Sequence, residues 1–218
     1  MPPYLSPVNA VLDLLMPHKC AGCSCYLVLG EEVLCTHCRH ELPLTGSGFP
    51  FEPLEDHLLG VGPFGRGSAL LLFRQGGMVQ HLVHGLKFED QIRFGPWLGR
   101  WAVSALNSVE HPTWTAVVPI PLHPIRHMQR GYNQLDGFCR TLARGLGVEY
   151  WPQAMRKRTT WALLFNAQSG RSKRARLKRQ INPFFLPPTT RQKLAGRPGL
   201  RILLVDDVVT TGATLRHA

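Results

Sequence analysis

The stretch that most constrains this chain runs from Leu200 to Thr214. Ile202–Val205 is an apolar run of strand length, set off by Pro198 and Gly199. It reads as a buried parallel strand. Asp206 and Asp207 follow where such a strand should end, and Thr210, Thr211, Gly212, Ala213 and Thr214 come next. A helix is expected to start there, with its first N–H groups pointing into the loop. Threonine hydroxyls, a close-approaching glycine and a helix N-terminus can cradle a phosphate dianion. Carboxylates cannot touch phosphate, but they accept hydrogen bonds from sugar hydroxyls. In open α/β sheets ligands sit at the carboxyl ends of strands, where this loop lies. The stretch therefore points to a phosphorylated sugar.

Other readings of the same residues are weaker. A strand ending in Asp can be the magnesium strand of a P-loop ATPase, but that needs an upstream Gly-Lys pair and the chain has none. An acid pair can open a phospho-receiver domain, yet few residues follow Asp207. Asp-Asp before a helix can be plain capping, which leaves the Thr210–Thr214 run unexplained. Val205 to Thr214 resembles the PRPP-binding loop of type I phosphoribosyltransferases. That resemblance implies that Asp206 and Asp207 bind the ribose hydroxyls and that Thr210, Thr211, Gly212, Ala213 and Thr214 hold the 5-phosphate.

The rest of the chain fits a globular protein with anionic partners. It has 218 residues, 44% of them hydrophobic, and a formal net charge of +11. That length buries a sizeable core, and the charge suits phosphates or nucleic acid. No run approaches the length of a membrane span, so no membrane insertion is expected. The N-terminus lacks the basic start and cleavage site of a signal peptide, and a cytoplasmic protein is expected. Residues 8–16 form a short amphipathic helix candidate that ends before Pro17.

Five of the six cysteines lie between residues 20 and 38. Cys20 and Cys23 form one C-x-x-C knuckle, and Cys35 and Cys38 form a second. Four thiolates at this spacing can converge on one tetrahedral Zn²⁺, a structural site with no open position for catalysis. Disulfides fit poorly with a chain lacking an export signal. The zinc would staple a segment too small for its own core. Cys25 is a spare thiol, and the nearby glutamates make the knuckle an unpromising nucleic-acid surface.

Residues 43–67 read as linker and turns, and Ala69–Phe73 as a strand. Helices are expected over 78–88 and 94–106. Thr115–Pro121 is a second buried strand, ended by prolines. A loop then carries Arg126, Arg130 and Gly131, and a helix runs on to about Leu146. Strand, basic loop and helix make a second anion-binding arrangement. In a phosphoribosyltransferase it corresponds to the pyrophosphate loop.

Between Tyr150 and Val205 there is no Asp or Glu, against thirteen Lys or Arg. The densest part holds Arg171, Lys173, Arg174, Arg176, Lys178 and Arg179, with Arg158 upstream. Charge runs are usually solvated. Two functional readings remain open. The segment can be a lid that closes its cations over a departing pyrophosphate, or it can grip a single-stranded DNA backbone, with interleaved aromatics for base stacking.

The order of these motifs narrows the resemblance. The cysteine knuckles, Leu86-Lys87-Phe88, Pro119-Ile120-Pro121, Arg130 to Gln134, Arg158-Thr159, Gln168, Arg179, Asn182 to Phe185 and the Asp206–Thr214 loop come in the order seen in the ComF family, including the GntX-like proteins. The similarity spans the chain from about Leu12 onward. The link between Thr159 and Gln168 is longer than is usual there. The family is linked to natural competence and to use of external DNA as a nutrient.

The resemblance implies an α/β protein. Residues 1–45 would hold an N-terminal helix and a small four-cysteine zinc-knuckle segment. Residues 46–218 would form a Rossmann-like type I phosphoribosyltransferase domain with a parallel sheet. It further implies Mg²⁺ with PRPP, a possible glycosyl transfer at the ribose C1 with no side chain identifiable as general base, and competence-machinery proteins as possible partners. The alternative is a non-enzymatic single-stranded DNA-binding or DNA-uptake factor on a degenerate transferase fold. A type I domain normally continues beyond the helix that ends at Ala218. A truncated member, less stable than a full-length relative, is therefore expected.

Overall fold

A computed structural model describes residues 18–45, 67–88, 91–107, 113–158 and 182–218. The helix expected over 8–16, most of the 43–67 linker, and Arg171, Lys173, Arg174, Arg176, Lys178 and Arg179 lie outside the described residues. In chain order the elements are α1 (Thr36–His40), α2 (Met78–Phe88), α3 (Phe94–Asn107), β1 (Ala116–Pro119), α4 (Pro124–Arg130), α5 (Asp136–Leu146), β2 (Glu149–Tyr150), β3 (Arg156–Lys157), β4 (Phe184–Phe185), α6 (Pro188–Ala195), β5 (Ile202–Val205) and α7 (Ala213–His217).

β1 is the centre of a three-stranded parallel sheet of order β2-β1-β5. Its register with β5 pairs Ala116 with Ile202 and continues to Pro119 with Val205. The Ile120 N–H then donates to the Val205 carbonyl at 2.8 Å, so the ladder runs one residue past the strand. All four residues of β1 are buried, as two neighbouring strands and two covered faces require. Val117 faces a core containing Cys139, Leu142 and Ala143 of α5. Ala116 and Val118 face the opposite side, where Trp151 and Ala154 pack, with Leu194 of α6 against them. The apolar run predicts a buried β5, whereas the strand is half-buried along its length. It pairs on one side only among the described residues, whereas β1 pairs on both.

α3 and α5 lie closely against one another because glycines face the contact. A β-carbon on Gly99 would come to 3.0 Å from the Phe138 carbonyl oxygen, and one on Gly145 to 2.4 Å from Val103. The expected strand at 69–73 is reduced to a single bridge, Leu44 with Leu71. Gly76 and Gly77 turn the chain into α2 directly afterwards.

The sequence predicts a cysteine segment that depends on its metal for want of a core. The segment instead shares one. Cys20, Val33, Leu34, Cys35, Cys38 and Leu42 pack with Leu82 and Leu86 of α2 and Phe94 and Trp97 of α3. Arg39 stacks over the Trp101 ring at 5.3 Å, and Arg100 pairs with Glu32. Among the described residues no helix is long and apolar enough to cross a membrane.

Candidate functional site

The chain leaves β1, passes through α4 and α5, and returns as β2 on one side. β5 lands on the other side of β1. The strand order therefore reverses between β1 and β5, and their carboxyl ends open a crevice of the kind that takes ligands in doubly wound sheets. Ile120 and Pro121 leave one lip, and Asp206 and Asp207 leave the other.

The two acids sit in different surroundings. The Asp207 Oδ2 accepts a hydrogen bond from Gln134 Nε2 at 3.0 Å and pairs with the Lys87 ammonium at the end of α2. Burial pushes the Asp207 carboxyl up, but Lys87 and Gln134 outweigh it and hold the group below its usual value. Asp206 accepts the Asp207 backbone N–H on Oδ1 at 2.9 Å. Burial first, and the neighbouring Asp207 charge second, push the Asp206 carboxyl up to about 6. The two neighbouring carboxyls are thus pushed in opposite directions.

A helix starts within the segment that follows. Gly212 is the N-cap of α7 in the left-handed region, φ 67° and ψ 5°, where a side chain costs roughly 1–2 kcal/mol. No side chain caps this helix. Thr210, Thr211, Ala213 and Thr214 are exposed, and Gly212 is buried beneath them.

The segment with Arg126, Arg130 and Gly131 is a helix where a loop was expected. Pro124 occupies the first turn of α4, and His123 Nδ1 caps it by accepting the Ile125 N–H at 3.4 Å. A proline pre-set for the first turn and a left-handed Gly131 at the C-cap are ordinary helix boundaries. Arg126 is exposed on α4, and Arg130 is half-buried. Arg130 Nη1 donates to Gln134 Oε1 at 3.0 Å. Arg130, Gln134, Asp207 and Lys87 thus form one connected line across the crevice.

The turn beneath this line is rigidly satisfied. Asn133 donates to the Ile120 carbonyl at 3.1 Å and accepts the Leu135 N–H at 3.1 Å. Tyr132 donates to the Leu86 carbonyl at 2.9 Å. Asn133 and Gln134 are both buried, and their polar atoms have these partners, as buried amides require.

The four sulfurs of Cys20, Cys23, Cys35 and Cys38 lie within 4.8 Å of one another. Backbone N–H groups of Gly22 and Cys35 donate to Cys20 Sγ at 3.4 and 3.2 Å, and that of Cys38 to Cys35 Sγ at 3.4 Å. Such donors stabilise thiolates and orient them. All six cysteines are free. The donor set fits a structural zinc and has no open position. The Cys25 sulfur lies 3.3 Å from that of Cys23, on the exposed side.

Arg158 lies where the basic segment begins. β3 and β4 pair antiparallel, and the Arg158 N–H donates to the Pro183 carbonyl at 2.7 Å. Lys157 lies over the Phe184 ring at 5.4 Å, and Arg158 over Phe185 at 5.5 Å. Phe184 packs in the same core as Ile120 and Leu215, so this stem is anchored beside the carboxyl end of β1.

Lys87 and Gln134 received no role from sequence reasoning, although both sit in motifs that it singled out. The available signal was charge. A half-buried acid pair at a strand end needs a cation, and Lys87 is the one Lys or Arg in α2.

Comparison with known proteins finds relatives of one kind. Competence protein F of Haemophilus influenzae is 28% identical over 206 residues, covering 91% of this chain and 81% of that protein. DNA utilization protein YhgH of Salmonella typhi is 33% identical over 138 residues, 62% of this chain and 56% of that protein. Competence protein ComFC of Streptococcus pneumoniae is 36% identical over 100 residues, 46% of this chain and 38% of that protein. The match spans little more than half of that Salmonella protein, whereas DNA utilization protein YhgH of Escherichia coli O157:H7 is 27% identical over 224 residues, 93% of this chain and 89% of that protein. No family model matches the chain, and no solved structure matches it.

Proposed function

For this homologue of the ComF-family competence and DNA utilization proteins, we propose a ribose-phosphate-binding role, with PRPP as the ligand, in the use of external DNA. The observation that carries the reading is the acid pair at the β1–β5 reversal, followed at once by the Thr210–Thr214 loop and the uncapped start of α7. The 5-phosphate lies on Thr210, Thr211, Gly212, Ala213 and Thr214, and the ribose hydroxyls meet the acid pair. Pyrophosphate lies towards Arg126, Arg130 and Gly131. Mg²⁺ bound with PRPP would supply charge neutralisation for the pyrophosphate. The segment that starts at Arg158 and includes Arg171, Lys173, Arg174, Arg176, Lys178 and Arg179 closes over the leaving group. With an acceptor, a nucleophile attacks the ribose C1 as pyrophosphate departs, and the cations stabilise the developing charge. The protein works in the cytoplasm, beside the competence machinery.

A second reading has one observation in its favour. The aromatic–cation stacks at Lys157–Phe184 and Arg158–Phe185 are the components of a single-strand binding surface. In that reading the crevice senses a nucleotide and the basic segment holds single-stranded DNA.

Calorimetric titration separates the two. Mg²⁺-PRPP should bind at about micromolar Kd, and Asp206→Asn with Asp207→Asn should abolish that binding while leaving DNA binding intact. Neutralising Lys173, Arg174, Arg176, Lys178 and Arg179 should collapse any salt-dependent DNA affinity. Unchanged PRPP binding in the double-Asn variant, or none in the wild type, overturns the ribose-phosphate reading.

A further inference from the structure

We propose that Lys87 and Gln134 are positioning residues that divide the acid pair, making Asp207 a strut and leaving Asp206 as the carboxylate offered to a sugar hydroxyl. The proposal rests on the ribose-phosphate reading and specifies which of the two acids takes the sugar.

The geometry is asymmetric. Asp207 Oδ2 holds both the Lys87 ammonium and the Gln134 amide N–H. A carboxylate occupied in this way would have to break a charge-assisted bond before turning to a ligand. Asp206 is held differently: its Oδ1 takes the Asp207 backbone N–H and its carboxyl meets that of Asp207, and among the described residues no cationic or amide side chain is hydrogen-bonded to it. A half-buried carboxyl with spare acceptor capacity at a crevice is what a hydroxyl donor satisfies. Its raised affinity for a proton has the same origin, since burial and the Asp207 charge oppose ionisation.

The grip on Asp207 is itself held in place. Gln134 accepts from Arg130 on Oε1. A guanidinium only donates, so this bond sets the amide orientation and leaves Nε2 facing Asp207. Lys87 is the penultimate residue of α2, and the Leu86 carbonyl beside it receives the Tyr132 hydroxyl. The cation and the amide therefore come from elements tied to each other as well as to Asp207. Removing either should loosen the turn into the Thr210–Thr214 loop. It should not remove the sugar's partner.

The test compares two probes, ribose 5-phosphate and inorganic phosphate, by calorimetry. Their affinity ratio isolates what the sugar hydroxyls add. In the wild type ribose 5-phosphate should bind about tenfold or more tighter, one good hydrogen-bonded contact's worth. Asp206→Asn should bring the ratio towards one. Lys87→Met and Gln134→Leu should weaken both probes in parallel and keep the ratio, and Lys87→Arg should restore both affinities. The double variant Lys87→Met with Asp207→Asn removes both members of the Lys87–Asp207 pair together, so it keeps the comparison available if a single variant folds poorly. It too should keep the ratio.

A ratio that falls equally in Asp207→Asn and Asp206→Asn overturns the division of the pair. So does a Lys87→Met variant with both affinities unchanged. A wild type that binds ribose 5-phosphate no better than phosphate overturns the ribose-phosphate reading itself, and this proposal with it.

Discussion

The α-carbon of Gly22 lies so close to the Cys38 thiol that a β-carbon there would come to 2.9 Å from Sγ. The glycine is required by the four-sulfur cluster it adjoins, because Cys38 is one of the four converging sulfurs. Gly22→Ala should push that sulfur out of the cluster. Zinc retention against a competing chelator should fall by about ten- to a hundredfold, the usual cost of disturbing a ligand's support. Atomic absorption after timed chelation measures it, and unchanged retention contradicts the assignment.

Stripping zinc from a zinc-loaded knuckle should be felt well beyond it. Its cysteines share a core with Leu82, Leu86, Phe94 and Trp97. Chelation should lower Tm and shift tryptophan emission to the red as Trp97 gains water. Leu82→Ala, at a fully buried position in that core, should destabilise by about 2–5 kcal/mol. A tryptophan spectrum that does not respond to chelation would show that the knuckle and the α2–α3 pair are independent.

The acid pair gives a signed pH dependence. Asp206 has its carboxyl raised from 3.8 to about 6 in the folded protein. The folded state therefore binds that proton more tightly than the unfolded state. The cost of ionising Asp206 is fully present above about pH 6 and is relieved as pH falls towards 3.8. Asp207, held below its usual value, contributes stability that is lost as pH falls through its own range. Asp206→Asn should raise Tm at pH 7.5 by more than it does at pH 5. A difference in Tm that is the same at both pH values would contradict this account of the site.

Gly212 provides a backbone test. Its left-handed N-cap geometry at the start of α7 favours glycine. Gly212→Val should cost roughly 1–2 kcal/mol or more and weaken inorganic phosphate binding, since the loop must shift. Normal phosphate affinity in this variant would remove the Thr210–Thr214 loop from the site.

The strand–acid–threonine order was legible because each part is local. A β-branched run, a carboxylate pair and a glycine-led helix start follow one another within a few residues. The cysteine spacing was legible for the same reason. Lys87 and Gln134 were not, because their partner Asp207 is distant in the chain and only the β2-β1-β5 order brings them together. The helix at 124–130 reads as a loop in the sequence because its seven residues bury no side chain and so carry no apolar stripe, leaving Pro124 and Gly131 as its boundary signals. The core shared by the knuckle and α2 was also hidden, since Leu82 and Leu86 look like any amphipathic stripe until Cys20 and Cys38 are seen against them.

The most direct measurement follows backbone amide resonances as Mg²⁺-PRPP is added. Ribose-phosphate binding at the β1–β5 reversal predicts saturable shifts of the Asp206, Asp207 and Thr210–Thr214 amides, with Gln134 and Lys87 responding beside them. Shifts confined to the cysteine knuckle or the β3–β4 stem, with residues 206–214 unmoved at saturation, would contradict it.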